Sequence, residues 1–138
     1  MTTIWSRLDA AFDPATRTVV AVMWTAGVAL SVWTVPRAID HPSAGPWQLL
    51  LIPIIGLASL AIATLRGMRW AFALDLVLLG VQIPGGLAVL WELAHFSESS
   101  KAAEVAALGF DPLLGLLVNL AFSAVSGAVF VWLAVRLR

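Results

Sequence analysis

A carboxylate and an imidazole lie three residues apart near the end of a long apolar segment, at Glu92 and His95. Residues at this spacing share one face of a helix, so both side chains can act on the same molecule. Together they form an acid–base pair, and Asp40 is predicted to lie at the same level of the protein. The predicted catalytic residues are therefore Glu92, His95 and Asp40, and the alternative is that they simply contact water at the membrane surface.

The same two residues also form one copy of Glu-x-x-His, which is half of a di-iron carboxylate signature. A di-metal centre requires a second copy and further glutamates, and the sequence contains only one copy. A single divalent ion held by Glu92, His95 and either Asp40 or His41 is a weaker alternative. The two histidines occupy unlike positions, which argues against a bis-histidine haem, and zero cysteines exclude thiolate-bound metals and thiol redox chemistry. We predict no metal and no cofactor.

Amide and indole side chains at several depths of the apolar segments are predicted to line a binding pocket. An amide that faces lipid is costly to desolvate, so Gln82 should point inward near the middle of its segment. Pro84-Gly85-Gly86 follows it and predicts a kink or local unwinding, which can line a cavity with backbone carbonyls. The predicted ligand-binding residues are Trp24, Trp33, Gln82, Trp91 and Asn119.

Asp75 lies about five residues after Trp70, close to the predicted inner membrane surface. We expect an ion pair with Arg66, Arg69 or Arg136, which lie at the same level. The alternative is a role as a proton relay or a gate, because ionisable groups inside membrane segments often carry function.

The composition requires a solvent other than water. Of the 138 residues, 61% are hydrophobic and 12% are charged, and the mean hydropathy is +0.96, whereas soluble domains carry about 25% charged residues. The net charge is zero and no basic patch is present, which excludes a nucleic-acid partner. The chain is predicted to be a single integral membrane domain, 1–138.

Four apolar segments approach the length of about 20 residues that a spanning helix needs. They cover roughly 18–35, 48–65, 71–95 and 113–135, and residues 1–12 predict either an interfacial helix or a frayed terminus. We expect an all-α, four-helix transmembrane bundle with a kinked third helix. Stripes of small and weakly polar residues are predicted to face inward: Trp24, Gly27, Ser31 and Thr34; Gly56, Ser59 and Ala63; and Gly115, Asn119, Ser123 and Ser126.

Basic residues are distributed unevenly between the two predicted sides. Six of the eight lie at the chain ends or between the second and third spans, and two lie on the other side. The positive-inside rule then places both termini in the cytoplasm. The basic turn 65–71 resembles the inner turns of small bacterial four-span proteins, and the expected location is the plasma (inner) membrane.

Three classes of function fit these features. The first is binding of a lipophilic small molecule that enters from membrane lipid, with cofactor-independent acid–base chemistry such as cyclisation, isomerisation or epoxide opening. The second is an accessory subunit of a larger membrane complex. The third is a small channel or transporter, for which four spans require a homo-oligomer.

Overall fold

The computed structural model describes residues 3–138, and within this range the chain forms six α-helices and no strand. Short 3-10 turns at Pro42–Ala44, Trp47–Leu50 and Phe96–Glu98 connect some of them. Residues 1 and 2 of the predicted 1–12 segment lie outside the described range. The helices are α1 (Ile4–Ala11), α2 (Pro14–Asp40), α3 (Leu51–Leu65), α4 (Arg69–Ala94), α5 (Ser100–Ala107) and α6 (Pro112–Arg136).

Four stretches of the described chain are long and apolar enough to cross a membrane, which confirms the predicted helical, membrane-type architecture. Two of them begin with the same device, a capping aspartate followed by a proline. Asp13 accepts a hydrogen bond from the amide of Thr16 at 2.8 Å, and Asp111 accepts from Leu113 and Leu114 at 2.9 and 3.1 Å. These caps satisfy the first free amides of α2 and α6. The stretches are Pro14–Asp40, Trp47–Leu65, Arg69–Ala94 and Pro112–Arg136.

The long helices pack as two pairs, α2 with α3 and α4 with α6. Glycines allow close approach within each pair. A Cβ atom on Gly27 would lie 2.9 Å from a methyl group of Leu57, and one on Gly86 would lie 3.1 Å from Cβ of Ser123. Small residues at these positions therefore let the helices approach closely, as predicted for the first and fourth spans.

The prediction for the small-residue stripe of the second span is wrong in part. Ala63 is buried, but Gly56 and Ser59 are exposed. The helix instead packs through a neighbouring face, rotated by about 100°, because the larger apolar side chains face the first span. That face contains Leu57, Leu60, Ala61 and Thr64.

Helix α4 continues without interruption from Arg69 to Ala94, with Pro84 inside it. Of the two expectations for the Pro-Gly-Gly sequence, local unwinding does not occur, and a kink stays a prediction. Gly86 has a packing role, since it allows Ser123 of α6 to approach. Gly85 faces open space, because a Cβ added there would meet no atom within 4 Å.

Two ion pairs lie at one end of the bundle, which we call the basic end. Arg69 pairs with Asp9 at 2.9 Å, and Arg136 pairs with Asp13 at 3.2 Å. The amide and hydroxyl of Thr16, together with Arg136, keep the pKa of Asp13 below its ordinary value of 3.8. Helix α1 packs here against α4, and its buried residues Leu8 and Ala11 join the core. Ile4 and Trp5, at the start of α1, are exposed.

Candidate intramembrane binding site

A cavity of about 350 Å³ lies where the two helix pairs meet. All four long helices contribute to its wall, which is apolar except for a few polar side chains. This composition is typical of small-molecule pockets, where isolated polar groups fix the orientation of a bound ligand. We call it the inner cavity, and its lining consists of Trp24, Gly27, Leu30, Ser31, Leu57, Leu78, Gln82, Asn119 and Phe122.

Two amide side chains face this cavity with unused hydrogen-bonding capacity. The oxygen of Gln82 accepts only a long bond, 3.4 Å, from the hydroxyl of Ser123. Within residues 3–138 the Asn119 amide makes no hydrogen bond, and neither does the amide nitrogen of Gln82. A primary amide offers two donors and an acceptor with two lone pairs. Both predicted ligand-binding amides thus line one cavity with groups free to contact a molecule inside it.

The indole of Trp24 closes the inner cavity on the side of a buried carboxylate. Its N–H donates to Oδ1 of Asp75 at 2.8 Å, and the hydroxyl of Thr64 donates to Oδ2 at 2.6 Å. Trp24 is 2% exposed, and Asp75 and Thr64 are fully buried. Three helices are therefore joined through one carboxyl group, and both of its oxygens are satisfied by neutral donors.

The predicted ion pair of Asp75 is wrong. No cationic side chain of the described chain lies within salt-bridge distance of it. Arg69 and Arg136 are instead held by Asp9 and Asp13 at the surface of the basic end, while Asp75 faces the packed interior. The two aspartates lie on α1 and at the junction of α1 with α2. The sequence did not predict where this segment packs against the long helices.

A second cavity, of about 410 Å³, adjoins the inner cavity at Leu30 and Asn119, which line both. We call it the outer cavity. It lies between α2, α5 and α6, and Trp33, one of the predicted ligand-binding residues, forms part of its wall. The role of Trp33 in binding stays a prediction. The other lining residues of the outer cavity are Thr34, Val105, Leu108, Phe110, Asp111, Leu114, Gly115 and Val118.

The three predicted catalytic residues lie at the opposite end of the bundle from the basic end, but the structure does not join them. Glu92 is half-buried on α4, and its Oε2 atom is buried without a hydrogen-bond partner among the described residues. His95 and Asp40 are exposed. None of the three lines the inner or the outer cavity, and no hydrogen bond connects any two of them. Their catalytic role stays a prediction.

The remaining predicted ligand-binding residue, Trp91, lies outside both cavities and is 55% exposed. Its ring stacks on His95 with centroids 4.4 Å apart, and Nδ1 of His95 lies 3.0 Å from the Trp91 carbonyl oxygen. This arrangement orients the imidazole along the outer surface of α4. Within residues 3–138, no group of three His, Asp or Glu side chains is placed to hold a metal ion, so the single-ion alternative has no geometric support.

Some residues of the site were not predicted from the sequence. Thr64 is a hydroxyl in the last turn of an apolar helix, which by itself predicts only a bond to its own backbone. Phe122 and Leu30 are ordinary apolar residues, and their position in the cavity wall depends on the packing angle. Phe110 and Asp111 immediately precede α6, and their position beside Trp33 depends on how α5 folds back.

Four apolar helices surrounding a partly polar cavity are features of a helical, multi-pass membrane protein. Comparison with family models, with curated proteins and with solved structures gave no match.

Proposed function

We propose that this protein binds a lipophilic small molecule in the inner cavity, within the membrane. One observation carries the proposal: the amides of Gln82 and Asn119, on different helices, converge on an apolar cavity with their hydrogen-bonding capacity largely unused. Gln82 and Asn119 are half-buried, and a ligand with a carbonyl or hydroxyl oxygen would supply hydrogen bonds that their amides lack. The expected ligand therefore has an apolar body and at least one such oxygen.

In a membrane, these polar contacts determine which ligand binds. A ligand that moves from lipid into an apolar cavity gains little from the hydrophobic effect, because lipid tails are as apolar as the cavity wall. Selection then depends on shape and on the hydrogen bonds to Gln82 and Asn119. A site built to bond a polar group discriminates strongly against a molecule that lacks it.

The test is to purify the protein in lipid nanodiscs and identify retained lipophilic molecules by mass spectrometry. Asn119→Leu conserves approximate size but removes the amide, and we expect it to lose the retained molecule. Ser59→Leu is the matched control, since Ser59 is exposed on α3, away from the cavity. Equal retention by the wild type, Asn119→Leu and Gln82→Leu would refute the assignment of the site.

Acid–base conversion of the molecule is a further part of the proposal, and Glu92 is its candidate group. Because Glu92 lines neither cavity, the molecule must leave the inner cavity and reach the last turns of α4 to be converted. A carboxylate oxygen that is buried and unpaired is available to donate or accept a proton. In this scheme Glu92 acts with His95 or Asp40. Glu92→Gln should then retain the wild-type substrate but accumulate it unconverted, and an identical product profile would exclude a catalytic role.

We also propose that both termini lie in the cytoplasm, at the plasma (inner) membrane. Arg69 and Arg136 lie at the basic end, and the positive-inside rule assigns such an end to the cytoplasm. Labelling of single cysteines introduced at Arg138 and at Ser43 tests this, because the chain has no native cysteine. An impermeant thiol reagent applied to whole cells should label only the cysteine at position 43.

The two alternative functions, accessory subunit and channel or transporter, predict different experimental results. An accessory subunit would use an outward face such as Gly56 and Ser59, which are exposed to the surroundings of the bundle. Loss of a co-purifying protein in Gly56→Leu, with ligand retention unchanged, would favour that role. A channel or transporter would require Asp75 and Glu92 in one pathway, so solute flux in proteoliposomes should disappear in both Asp75→Asn and Glu92→Gln.

A further inference from the structure

Positive charge at the basic end exceeds the negative charge that balances it. The two aspartates of this end are already paired with Arg69 and Arg136. Within residues 3–138, no carboxylate lies within salt-bridge distance of Arg7 on α1, Arg17 on α2 or Arg66 after α3. Uncompensated arginines at the end of a membrane span attract the anionic groups of the membrane surface.

The guanidinium group of Arg17 is held in place by neutral groups of the chain. Its Nε atom donates to the carbonyl oxygen of Phe12 at 2.7 Å, and its Cζ atom lies 5.2 Å from the centroid of the Phe72 ring. That ring is fully buried and stacks on the ring of Phe12, with centroids 4.5 Å apart. Arg17 is therefore half-buried, and its orientation is fixed before a ligand binds.

The two terminal nitrogens of Arg17 keep their hydrogen-bonding capacity. Neither Nη atom donates a hydrogen bond to any residue that the structure describes, since the only bond of this side chain is made by Nε. The N–H groups of a guanidinium lie in one plane and match two oxygens of a phosphate or a carboxylate. Arg17 thus presents a positioned, charged pair of donors that the fold itself does not use.

The turn between α3 and α4 is shaped to fit beside this guanidinium. Gly67 has a φ of +75°, and a Cβ atom added to it would lie 3.0 Å from Nη1 of Arg17. A larger residue would therefore be strained and would press on the guanidinium. Arg66 precedes Gly67, is exposed and adds a second positive charge to the same place.

The position of Arg17 favours a membrane lipid as the source of the anion. Arg17 lies in the first turn of α2, at one end of a long apolar helix, which is the level of the lipid phosphates. Trp70 at the start of α4 and Trp132 near the end of α6 are about half-exposed at the same end. Exposed tryptophans at the ends of spans are typical of the headgroup level.

We propose that Arg17 binds the phosphate group of an anionic phospholipid at the basic end, with Gly67 making room for the guanidinium and Arg66 adding charge. The two Nη atoms donate to two phosphate oxygens, and the acyl chains lie along the exposed apolar surface of the spans. None of these three residues lines the inner cavity, so the lipid site is separate from the small-molecule site.

Titration of the delipidated protein in a non-ionic detergent, followed by native mass spectrometry, tests the proposal on the wild type. The probes are dioleoylphosphatidylglycerol, dioleoylphosphatidylcholine with the same acyl chains, and inorganic phosphate. We expect the phosphatidylglycerol to bind about tenfold more tightly than the phosphatidylcholine, whose choline cation cancels the phosphate charge. Equal affinity of the two lipids overturns the proposal, and displacement of the phosphatidylglycerol by an equal concentration of inorganic phosphate overturns the assignment to a lipid.

Variants of two arginines then locate the site. Arg17→Gln should weaken phosphatidylglycerol binding by about tenfold, because it removes both the charge and the paired donors. Arg7→Gln is the matched control, since it removes the same charge from an exposed position at the same end, and it should change the affinity by less than about twofold. Arg17→Lys keeps the charge but not the planar pair of donors, and should bind with an affinity between those of the wild type and Arg17→Gln.

The comparison of the variants distinguishes a site from a general attraction. Equal weakening in Arg7→Gln and Arg17→Gln would show that only the total charge of the basic end matters, and would overturn the site at Arg17. Circular dichroism checks the helical fold of each variant before titration. If Arg17→Gln does not fold, Arg17→Lys decides, since an affinity equal to that of the wild type contradicts binding through the paired donors.

Discussion

The indole N–H of Trp24 donates to the carboxylate of Asp75 at 2.8 Å, across 51 positions of the chain, and both side chains are buried. This bond connects α2 to α4, which belong to different helix pairs. Thr64 of α3 completes the group by donating to the other carboxylate oxygen at 2.6 Å. The polar centre of the bundle is therefore a structural link as well as one wall of the inner cavity.

Removing a donor from Asp75 should destabilise the fold. Thr64→Val conserves volume and leaves Oδ2 without its partner, at a cost of about 1–3 kcal/mol for an unsatisfied buried group. Thr25→Val is the control, because the Thr25 hydroxyl only returns to the carbonyl of Ala21 in its own helix. Unfolding in mixed micelles with increasing SDS gives both values, and equal losses would show that the Asp75 contact contributes nothing specific.

Adjacent glycines of α4 should respond in opposite ways to the same substitution. Gly86→Leu would force a side chain against Ser123, and we expect a loss of about 1–3 kcal/mol from overpacking. Gly85→Leu enters open space, and should be neutral or stabilising because Gly is a poor helix former. The same unfolding assay compares them, and similar losses in both variants would contradict the packing of α4 against α6.

Acid should weaken the basic end through Asp13. The folded protein holds the pKa of Asp13 below 3.8, chiefly through the amide of Thr16, so the folded state binds the proton less readily than the unfolded chain. Its stabilising contribution is thus complete above the unfolded pKa and is lost as the pH falls through the folded pKa. Unfolding midpoints measured between about pH 2 and 6 should fall at the acid end.

The control for this pH dependence is Asp13→Asn, which keeps a capping side chain but cannot titrate. Its unfolding midpoint should fall less steeply than that of the wild type below pH 3.8. An identical acid slope in the two proteins would assign the acid sensitivity to other carboxylates.

Glu92 is expected to lower the stability of the folded protein. Its Oε2 atom is buried without a partner in the described chain, so Glu92→Leu removes a poorly satisfied polar group. We expect the unfolding free energy to rise by about 1 kcal/mol, together with loss of any conversion of the bound molecule. A substantial loss of stability would instead reveal that Glu92 makes a structural contact.

Much of the fold could be predicted because membrane segments are governed by local rules. Length and hydropathy locate the spans, and Asp13-Pro14 and Asp111-Pro112 mark two helix starts at the observed residues. The inward faces of the helices were harder to predict, since spans in lipid can be apolar on every side. Gly56 and Ser59 were predicted to face inward because small, weakly polar residues allow close helix contact, whereas Leu57 and Leu60 occupy the packed face.

The site was predictable only as far as single side chains are informative. Gln82 and Asn119 could be placed near a cavity because amides avoid lipid, and both line it. The partner of Asp75 could not be identified from charge alone. Arg69 and Arg136 were candidate partners by charge, but in the structure they pair with Asp9 and Asp13. Asp75 instead accepts hydrogen bonds from Trp24 and Thr64.

Neither helix pair contains the inner cavity by itself, since its wall requires Leu57 from one pair and Gln82 and Phe122 from the other. The cavity is consequently a product of assembly. It exists only while the α2–α3 pair packs against the α4–α6 pair, so its volume depends on how closely the two pairs approach. A substitution that separates the pairs would therefore alter the binding site without changing any residue in its wall.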